Sequence, residues 1–153
     1  MLDSSNMNMS DWTKIATHIY SNYQPFDGFV ILHGTDTMAY TSSALSFMLE
    51  GLGKAVVVTG SQVPMVQVRT DAINNFVGAL ILAGRYATTI PEVGLFFNSQ
   101  LFRGNRVTKI NASEFDAFDS PNYPPLATIG VNITGILKPI GCTCVTWLHS
   151  LAR

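Results

Sequence analysis

The sequence has few charged residues for its length. Asp, Glu, Lys and Arg make up 12% of the 153 residues and hydrophobic residues make up 47%, whereas a typical soluble domain is about one quarter charged. A chain with so little charge has little polar surface, so we expect part of its apolar surface to be covered by a partner or by further structure. The net charge of -1 provides no electrostatic basis for binding nucleic acid or an anionic membrane.

Several signatures of other protein classes are absent. No run approaches the roughly 18 apolar residues of a membrane span, and Met1–Met7 lacks the basic and apolar regions of a signal peptide. Cys142 and Cys144 are separated by one residue, which suits neither a disulfide nor a zinc site. We therefore expect reduced thiols and a cytoplasmic location. The dinucleotide Gly-x-Gly-x-x-Gly motif, the P-loop and the Gly-x-Ser-x-Gly elbow are missing, and the histidines are too scattered to predict a metal site.

The most informative stretch runs from Gly28 to Tyr40. Its apolar run, 29–32, predicts a strand buried on both faces, and the pattern over 41–52 predicts a helix with one apolar side. Thr35, Asp36 and Thr37 would then lie in a loop at the carboxyl end of a parallel strand, where open α/β sheets bind ligands. Helix capping is the alternative explanation, because Thr and Asp often satisfy the first free N–H groups of a helix.

The rest of the chain continues the alternation of strands and helices. A helix is predicted within 6–23 with Ser10 as N-cap, and another from about Thr70 to Gly84. β-branched or apolar runs predict strands over 55–59 and 92–97. We therefore predict a doubly wound, mostly parallel α/β sheet. This domain would span residues 1–134, and residues 135–153, which have no clear period, would form a divergent tail.

The loops after the three predicted strands would meet at one edge of the sheet. Hydroxyls, a carboxylate and a lysine close together suit the activation of a hydroxyl nucleophile or a bound water. Residues alone therefore predict a small-molecule site, although for the three cationic members they favour a solvated basic loop. The polar residues gathered in this way are Thr35, Asp36, Ser61, Gln62, Asn98, Arg103, Arg106 and Lys109.

Five segments resemble the bacterial-type L-asparaginase family, in particular its cytoplasmic type I branch. The likeness runs from Leu2 to about Thr134 and is shared with the asparaginase domain of animal 60 kDa lysophospholipases. Several spaced motifs in the same order make it a specific signal. The segments are Asp-Ser-Ser-Asn-Met (3–7), His-Gly-Thr-Asp-Thr-Met (33–38), Thr-Gly-Ser-Gln (59–62), Phe-Phe-Asn (96–98) and Arg-Gly-Asn-Arg-Val-Thr-Lys (103–109).

The resemblance implies hydrolysis of L-asparagine to L-aspartate and ammonia without a metal or organic cofactor. It assigns Thr35, Asp36 and Lys109 to catalysis. Lys109 would take a proton, Thr35 would activate the attacking water or hydroxyl and help to stabilise the tetrahedral intermediate, and Asp36 would also hold the substrate's α-ammonium. The residues that match the family's substrate-binding segment are Asp3, Ser4 and Ser5.

The sequence also departs from the family pattern. The family's first threonine, in a Thr-Gly-Gly-Thr-Ile type motif on its first strand, precedes the position of Asp3, and this sequence has no such motif. We therefore expect a chain shortened at both ends, without the first strands of the domain, with exposed strand edges and little turnover alone. The alternatives are a non-catalytic fragment that binds a partner, such as a full-length subunit, and a lysophospholipase-related product. The full-length family forms homo-oligomers.

Overall fold

The computed structural model describes residues 3–135, and nearly all of the predicted tail, including both cysteines, lies outside them. A short 3-10 turn, Ser4–Asn6, comes first. The helices are α1 (Met9–Ser21), α2 (Met38–Met48) and α3 (Ala72–Arg85). The strands are β1 (Phe29–Leu32), β2 (Val56–Thr59), β3 (Val93–Phe97), β4 (Gln100–Arg103), β5 (Thr108–Lys109), β6 (Phe118–Asp119), β7 (Ala127–Ile129) and β8 (Ile133–Thr134).

The main sheet has the strand order β1-β2-β3-β4-β7-β8. β1, β2 and β3 are parallel neighbours, with Phe29 opposite Val56 and Val56 opposite Val93. The strands from β4 onwards are antiparallel, and β5 and β6 form a separate two-stranded sheet. The predicted α/β fold with its parallel strands is therefore confirmed. The loop predicted after the third strand, from which Asn98, Arg103, Arg106 and Lys109 were gathered, in fact contains β4 and β5.

Two hydrophobic cores cover the two faces of the sheet. Val56 and Val58 of β2 point into the core beneath α1 and α2, whereas Val57 points into the core beneath α3. All residues of β2 and β3 are buried. A strand covered on both faces needs apolar side chains at every position, which is why these strands are continuous apolar runs.

The first two helices begin earlier than predicted. The N-cap of α1 is Asn8 and not Ser10, because the Asn8 side chain accepts a hydrogen bond from the Ser10 N–H at 3.0 Å. Asp11 accepts one from the Asn8 N–H at 3.3 Å and completes a capping box. At the start of α2, the Thr37 side chain makes no capping hydrogen bond and donates instead to the Ser4 carbonyl at 2.6 Å. Capping therefore does not explain Thr37.

Exposed apolar side chains occur at several places in the part of the chain that the structure describes, including the edge of the sheet and α3. β1 lies at the edge of the sheet, without a strand partner on its outer side among residues 3–135, and Leu32 is 67% exposed. The outer face of α3 exposes Ile73, Val77 and Leu80. No helix within residues 3–135 is long and apolar enough to cross a membrane.

Candidate active site

A cavity of about 730 Å³ lies at the carboxyl ends of β1 and β2. It forms where the two parallel strands end side by side, since the His33 N–H still donates to the Thr59 carbonyl at 2.8 Å. The close approach of the strand ends requires a glycine at position 60, because a Cβ there would overlap the His33 carbonyl. Its polar lining includes Asp3, Ser4, His33, Thr35, Asp36, Thr59 and Ser61, and its apolar lining includes Leu32, Pro64, Met65 and Phe76.

Lys109 joins the two loop residues that the motif singled out. Its Nζ lies 3.0 Å from Thr35 Oγ1 and 2.9 Å from Asp36 Oδ1. The Lys109 side chain is 19% exposed, whereas that of Asp36 is 64% exposed. Lys109 therefore brings a mostly buried ammonium group to a threonine hydroxyl whose own proton can point into the cavity. Such an arrangement can hold, and after losing its proton can activate, a hydroxyl or a water.

The segment at residues 3–5 is tied to the same loop. The hydrogen bond from Thr37 to the Ser4 carbonyl links them, and Ser4 packs so closely on Gly34 that a Cβ at Gly34 would lie 2.6 Å from Ser4 Oγ. Asp3 Oδ1 accepts hydrogen bonds from the Ser5 N–H at 3.0 Å and the Ser5 hydroxyl at 2.9 Å. These bonds lower the pKa of Asp3, because they favour its carboxylate form.

Asn75 supports the loops that follow β2 and β3. This buried side chain donates to the Gly60 carbonyl and to Asp71 Oδ2, both at 3.0 Å, and accepts from the Asn98 N–H at 3.2 Å. Asp71 in turn accepts from the Gln62 N–H at 3.0 Å. One α3 side chain therefore holds two loops at the carboxyl edge of the sheet.

Four residues predicted for the cluster lie away from the cavity, namely Gln62, Asn98, Arg106 and Arg103, the last of which is described below. The Gln62 side chain donates to the Glu114 carbonyl, and Asn98 faces a different depression near Arg69 and Ser99. Arg106 is exposed in the turn that follows β4. These placements leave Thr35, Asp36, Ser61 and Lys109 as the members that meet, together with the predicted binding residues Asp3 and Ser4. Ser5 contributes through its hydrogen bonds to Asp3.

The prediction that Arg103 joins the cluster is wrong. β4 runs antiparallel to β3, so Arg103 lies opposite Gly94 at the amino-terminal end of that strand. There its guanidinium contacts Glu92 at 2.6 and 3.1 Å and stacks on Tyr123 with 4.2 Å from Cζ to the ring centroid. The hydrogen bonds to Glu92 raise the pKa of Arg103. Arg103 therefore forms a structural ion pair with Glu92 at the edge of the sheet opposite the cavity.

Sequence reasoning missed His33 and its neighbours. His33 Nε2 lies 2.9 Å from Thr41 Oγ1, and Thr41 accepts a hydrogen bond from Trp12 Nε1 at 2.9 Å. Burial lowers the pKa of His33 because it disfavours the imidazolium form. The feature of the sequence that could have indicated a role for His33 is its position directly before Gly34 and Thr35. Its partners could not be read from the sequence, because they come from two other elements.

The described residues contain no group of three His, Cys, Asp or Glu side chains arranged to hold a metal ion. Hydroxyls, carboxylates and the His33 imidazole line the cavity, and Lys109 contacts two of its lining residues. Together the fold and the site define an α/β domain with a polar, charged cavity at the edge of a parallel sheet where such folds bind ligands.

The chain belongs to the asparaginase family. The family model described as "Asparaginase, N-terminal" matches residues 1–140, which confirms the resemblance drawn from the motifs. The chain is 56% identical over 139 residues to L-asparaginase 1 of Escherichia coli K12, a match that covers 91% of this chain and 40% of that protein. It is 54% identical over 134 residues to the 60 kDa lysophospholipase of Mus musculus, covering 88% of this chain and 23% of that protein.

Solved structures agree with the sequence comparisons. The crystal structure of L-asparaginase I from Vibrio cholerae superimposes with a TM-score of 0.83 and 57% identity, covering 88% of this chain and 40% of that one. The chain therefore spans about 40% of the length of these two L-asparaginases.

Proposed function

We propose that the cavity at the carboxyl ends of β1 and β2 binds L-asparagine and carries part of the catalytic machinery of an L-asparaginase. The observation that supports this most strongly is the position of Lys109, whose Nζ contacts both Thr35 Oγ1 and Asp36 Oδ1. The names of the relatives support the substrate, since L-asparaginases match over nearly the whole of the chain.

Each residue has a role that its geometry supports. In its neutral form, Lys109 takes a proton from Thr35, and the Thr35 oxygen takes a proton in turn from a water. The oxygen of that water then bonds to the side-chain amide carbon of the substrate, which forms the tetrahedral intermediate. The protonated Lys109 afterwards returns the proton to the departing ammonia. Asp36 keeps Lys109 in place and faces the solvent-exposed side of the cavity, where it pairs with the substrate's α-ammonium group.

The segment at residues 3–5 contacts both charged groups of the amino acid substrate. Ser5 keeps Asp3 in its carboxylate form, so Asp3 suits the α-ammonium group as a second counter-charge. Ser4, which is packed against Gly34 at the cavity wall, directs its hydroxyl to the α-carboxylate. Clamping both charged ends of the amino acid places its side-chain amide beside Thr35.

We propose that turnover by these residues alone is low. The hydroxyls of Thr37 and Thr59 donate to the carbonyls of Ser4 and Phe96, so Thr35 is the one threonine of the described site with its proton available. The sequence has no Thr-Gly-Gly-Thr-Ile run to supply another. Removing one member of a nucleophilic set typically costs about three or more orders of magnitude in rate.

The remaining proposals concern the protein's surroundings. We propose a cytoplasmic protein that associates into homo-oligomers and binds no nucleic acid. The resemblance to the type I branch supports the location, the exposed apolar face of α3 supports association, and the net charge of -1 argues against nucleic acid. A lysophospholipase activity is favoured only by the name of the mouse relative, and the cluster of charged groups at Lys109 suits a charged amino acid better than an acyl chain.

The test is calorimetric binding of L-aspartate, the product, to the purified chain. We expect saturable binding that K109M and T35V each weaken at least about tenfold, because each removes a polar contact to the ligand or its anchor. Two matched variants at exposed positions, R106M and T108V, should bind like the wild type. Wild-type affinity in K109M, or an equal loss in both exposed controls, would contradict the proposed site.

A further inference from the structure

A chain of three hydrogen bonds runs from α1 to the backbone just before Thr35. Trp12 Nε1 lies 2.9 Å from Thr41 Oγ1, Thr41 Oγ1 lies 2.9 Å from His33 Nε2, and His33 Nδ1 lies 2.7 Å from the Gly34 carbonyl. Thr41 is fully buried. The three side chains come from α1, from α2 and from the residue that follows β1, so these hydrogen bonds connect three elements on one face of the sheet.

Chemistry fixes the direction of the two outer bonds. An indole N–H can only donate and a carbonyl oxygen can only accept, so Thr41 accepts from Trp12 and His33 Nδ1 carries the hydrogen that bonds the Gly34 carbonyl. The Thr41 hydroxyl has one proton and two acceptor lone pairs, so the direction of its bond to Nε2 follows from the charge of the ring. In the neutral imidazole, which burial of His33 favours, the hydrogen is on Nδ1 and Nε2 accepts the Thr41 proton.

We propose that His33 is a positioning residue for Thr35. Oriented by Thr41, its ring donates a hydrogen bond from Nδ1 to the carbonyl of the Gly34–Thr35 peptide and thereby fixes the orientation of Thr35 toward Lys109. Because the described chain has no cis peptide bond, the Thr35 N–H points away from the ring, toward the opposite side of that peptide. This inference rests on the proposed function for its catalytic meaning, but its geometry stands independently.

Two further contacts restrict the movement of His33 and of the Gly34–Thr35 peptide. The His33 backbone N–H is bonded to the Thr59 carbonyl, so the ring projects from a fixed strand end. Ser4 packs on Gly34, which limits other movements of that peptide. The charged side chains that share the two cavities lined by His33 are Asp3, Asp11, Lys14 and Asp36.

Nuclear magnetic resonance of the ring nitrogens in the 153-residue chain tests the geometry without any ligand. We expect the Nδ1–H tautomer at neutral pH, with His33 staying neutral to a pH below the ordinary pKa of histidine. In T41V, Nε2 loses its hydrogen-bond donor, so the Nε2 chemical shift should move while Nδ1 keeps its hydrogen. An Nε2–H tautomer in the wild type, or an unchanged Nε2 shift in T41V, would overturn the hydrogen-bond directions.

Side-chain variants test the positioning. Asn at position 33 places an N–H near the site of Nδ1, so H33N should retain the Thr35 amide signal and bind L-aspartate within about threefold of the wild type. H33L has no donor, so its Thr35 amide signal should shift and its affinity should fall at least about tenfold, as misplacement of a site residue does. H18L is the matched control and should leave both readings unchanged.

The two proposals fail in different ways. If the wild type binds no L-aspartate but the Thr35 signal moves in H33L and not in H33N, the proposed function fails and the positioning role stands. If the wild type binds L-aspartate and H33L binds equally well with an unmoved Thr35 signal, the positioning role is wrong and the proposed function stands. Circular dichroism of each variant separates these outcomes from a loss of fold.

Discussion

Replacing Asn75 by Ala removes the side chain that holds the loops after β2 and β3. The carboxamide makes three hydrogen bonds, to the Gly60 carbonyl, to Asp71 and from the Asn98 N–H, at 3.0 to 3.2 Å. A typical bond of this kind contributes about 1 kcal/mol net, so N75A should lower the free energy of unfolding by about 3 kcal/mol. The loss should be large because Asn75 is only 2% exposed and water cannot easily replace the side chain.

Urea unfolding followed by circular dichroism measures this change, with N74A as the matched control. Asn74 is the preceding residue on the same helix and is exposed, so its replacement should change the free energy of unfolding by less than about 0.5 kcal/mol. N75A should also weaken L-aspartate binding, since Ser61 follows the Gly60 carbonyl into the cavity. A loss below about 1 kcal/mol, or one equal to that of N74A, would refute the bracing role of Asn75.

Three further perturbations test other parts of the account. T37V removes the hydrogen bond to the Ser4 carbonyl and should weaken L-aspartate binding in calorimetry while leaving the melting temperature nearly unchanged. A lower melting temperature with unchanged affinity would contradict the role of this bond in the site. R103M removes the ion pair with Glu92 and should lower the free energy of unfolding by about 2 kcal/mol. It should leave the affinity for L-aspartate unchanged, and weaker binding would mean that Arg103 does contribute to the site. Burial holds the pKa of His33 below its ordinary value of 6.5, so below pH 6.5 the unfolded chain binds more protons and the folded chain loses stability. In H33N, the free energy of unfolding measured by urea titration should fall less between pH 7.5 and 5 than it does in the wild type. An equal fall would contradict this explanation.

The sequence predicted the elements whose patterns are local. β1, β2 and β3 are short apolar runs because both faces of each strand are covered or partly covered, and such runs are visible without any knowledge of the partners. Helix starts were less accurate. Asn8 competes with Ser10 for the cap of α1, and the choice depends on Asp11 reaching back to the Asn8 N–H, which is a matter of geometry.

The site was predictable where it is local and not where it depends on the path of the chain. Thr35 and Asp36 follow a strand directly, so their place at the sheet edge could be inferred. Lys109 comes from far along the chain, and only the resemblance to asparaginases separated it from Arg103, which has the same charge and lies in the same polar stretch. The antiparallel turn into β4 carries Arg103 to the other end of the sheet, and no composition rule indicates that turn.

Amide chemical shifts recorded while L-asparagine is added to the 153-residue chain test the central claim most directly. If the cavity beside Lys109 is the substrate site, the signals of Gly34, Thr35, Asp36 and Ser61 should move and saturate together, and K109M should abolish the response. Shifts centred instead on the Arg103 and Glu92 edge, or a full response in K109M, would contradict the assignment of this site.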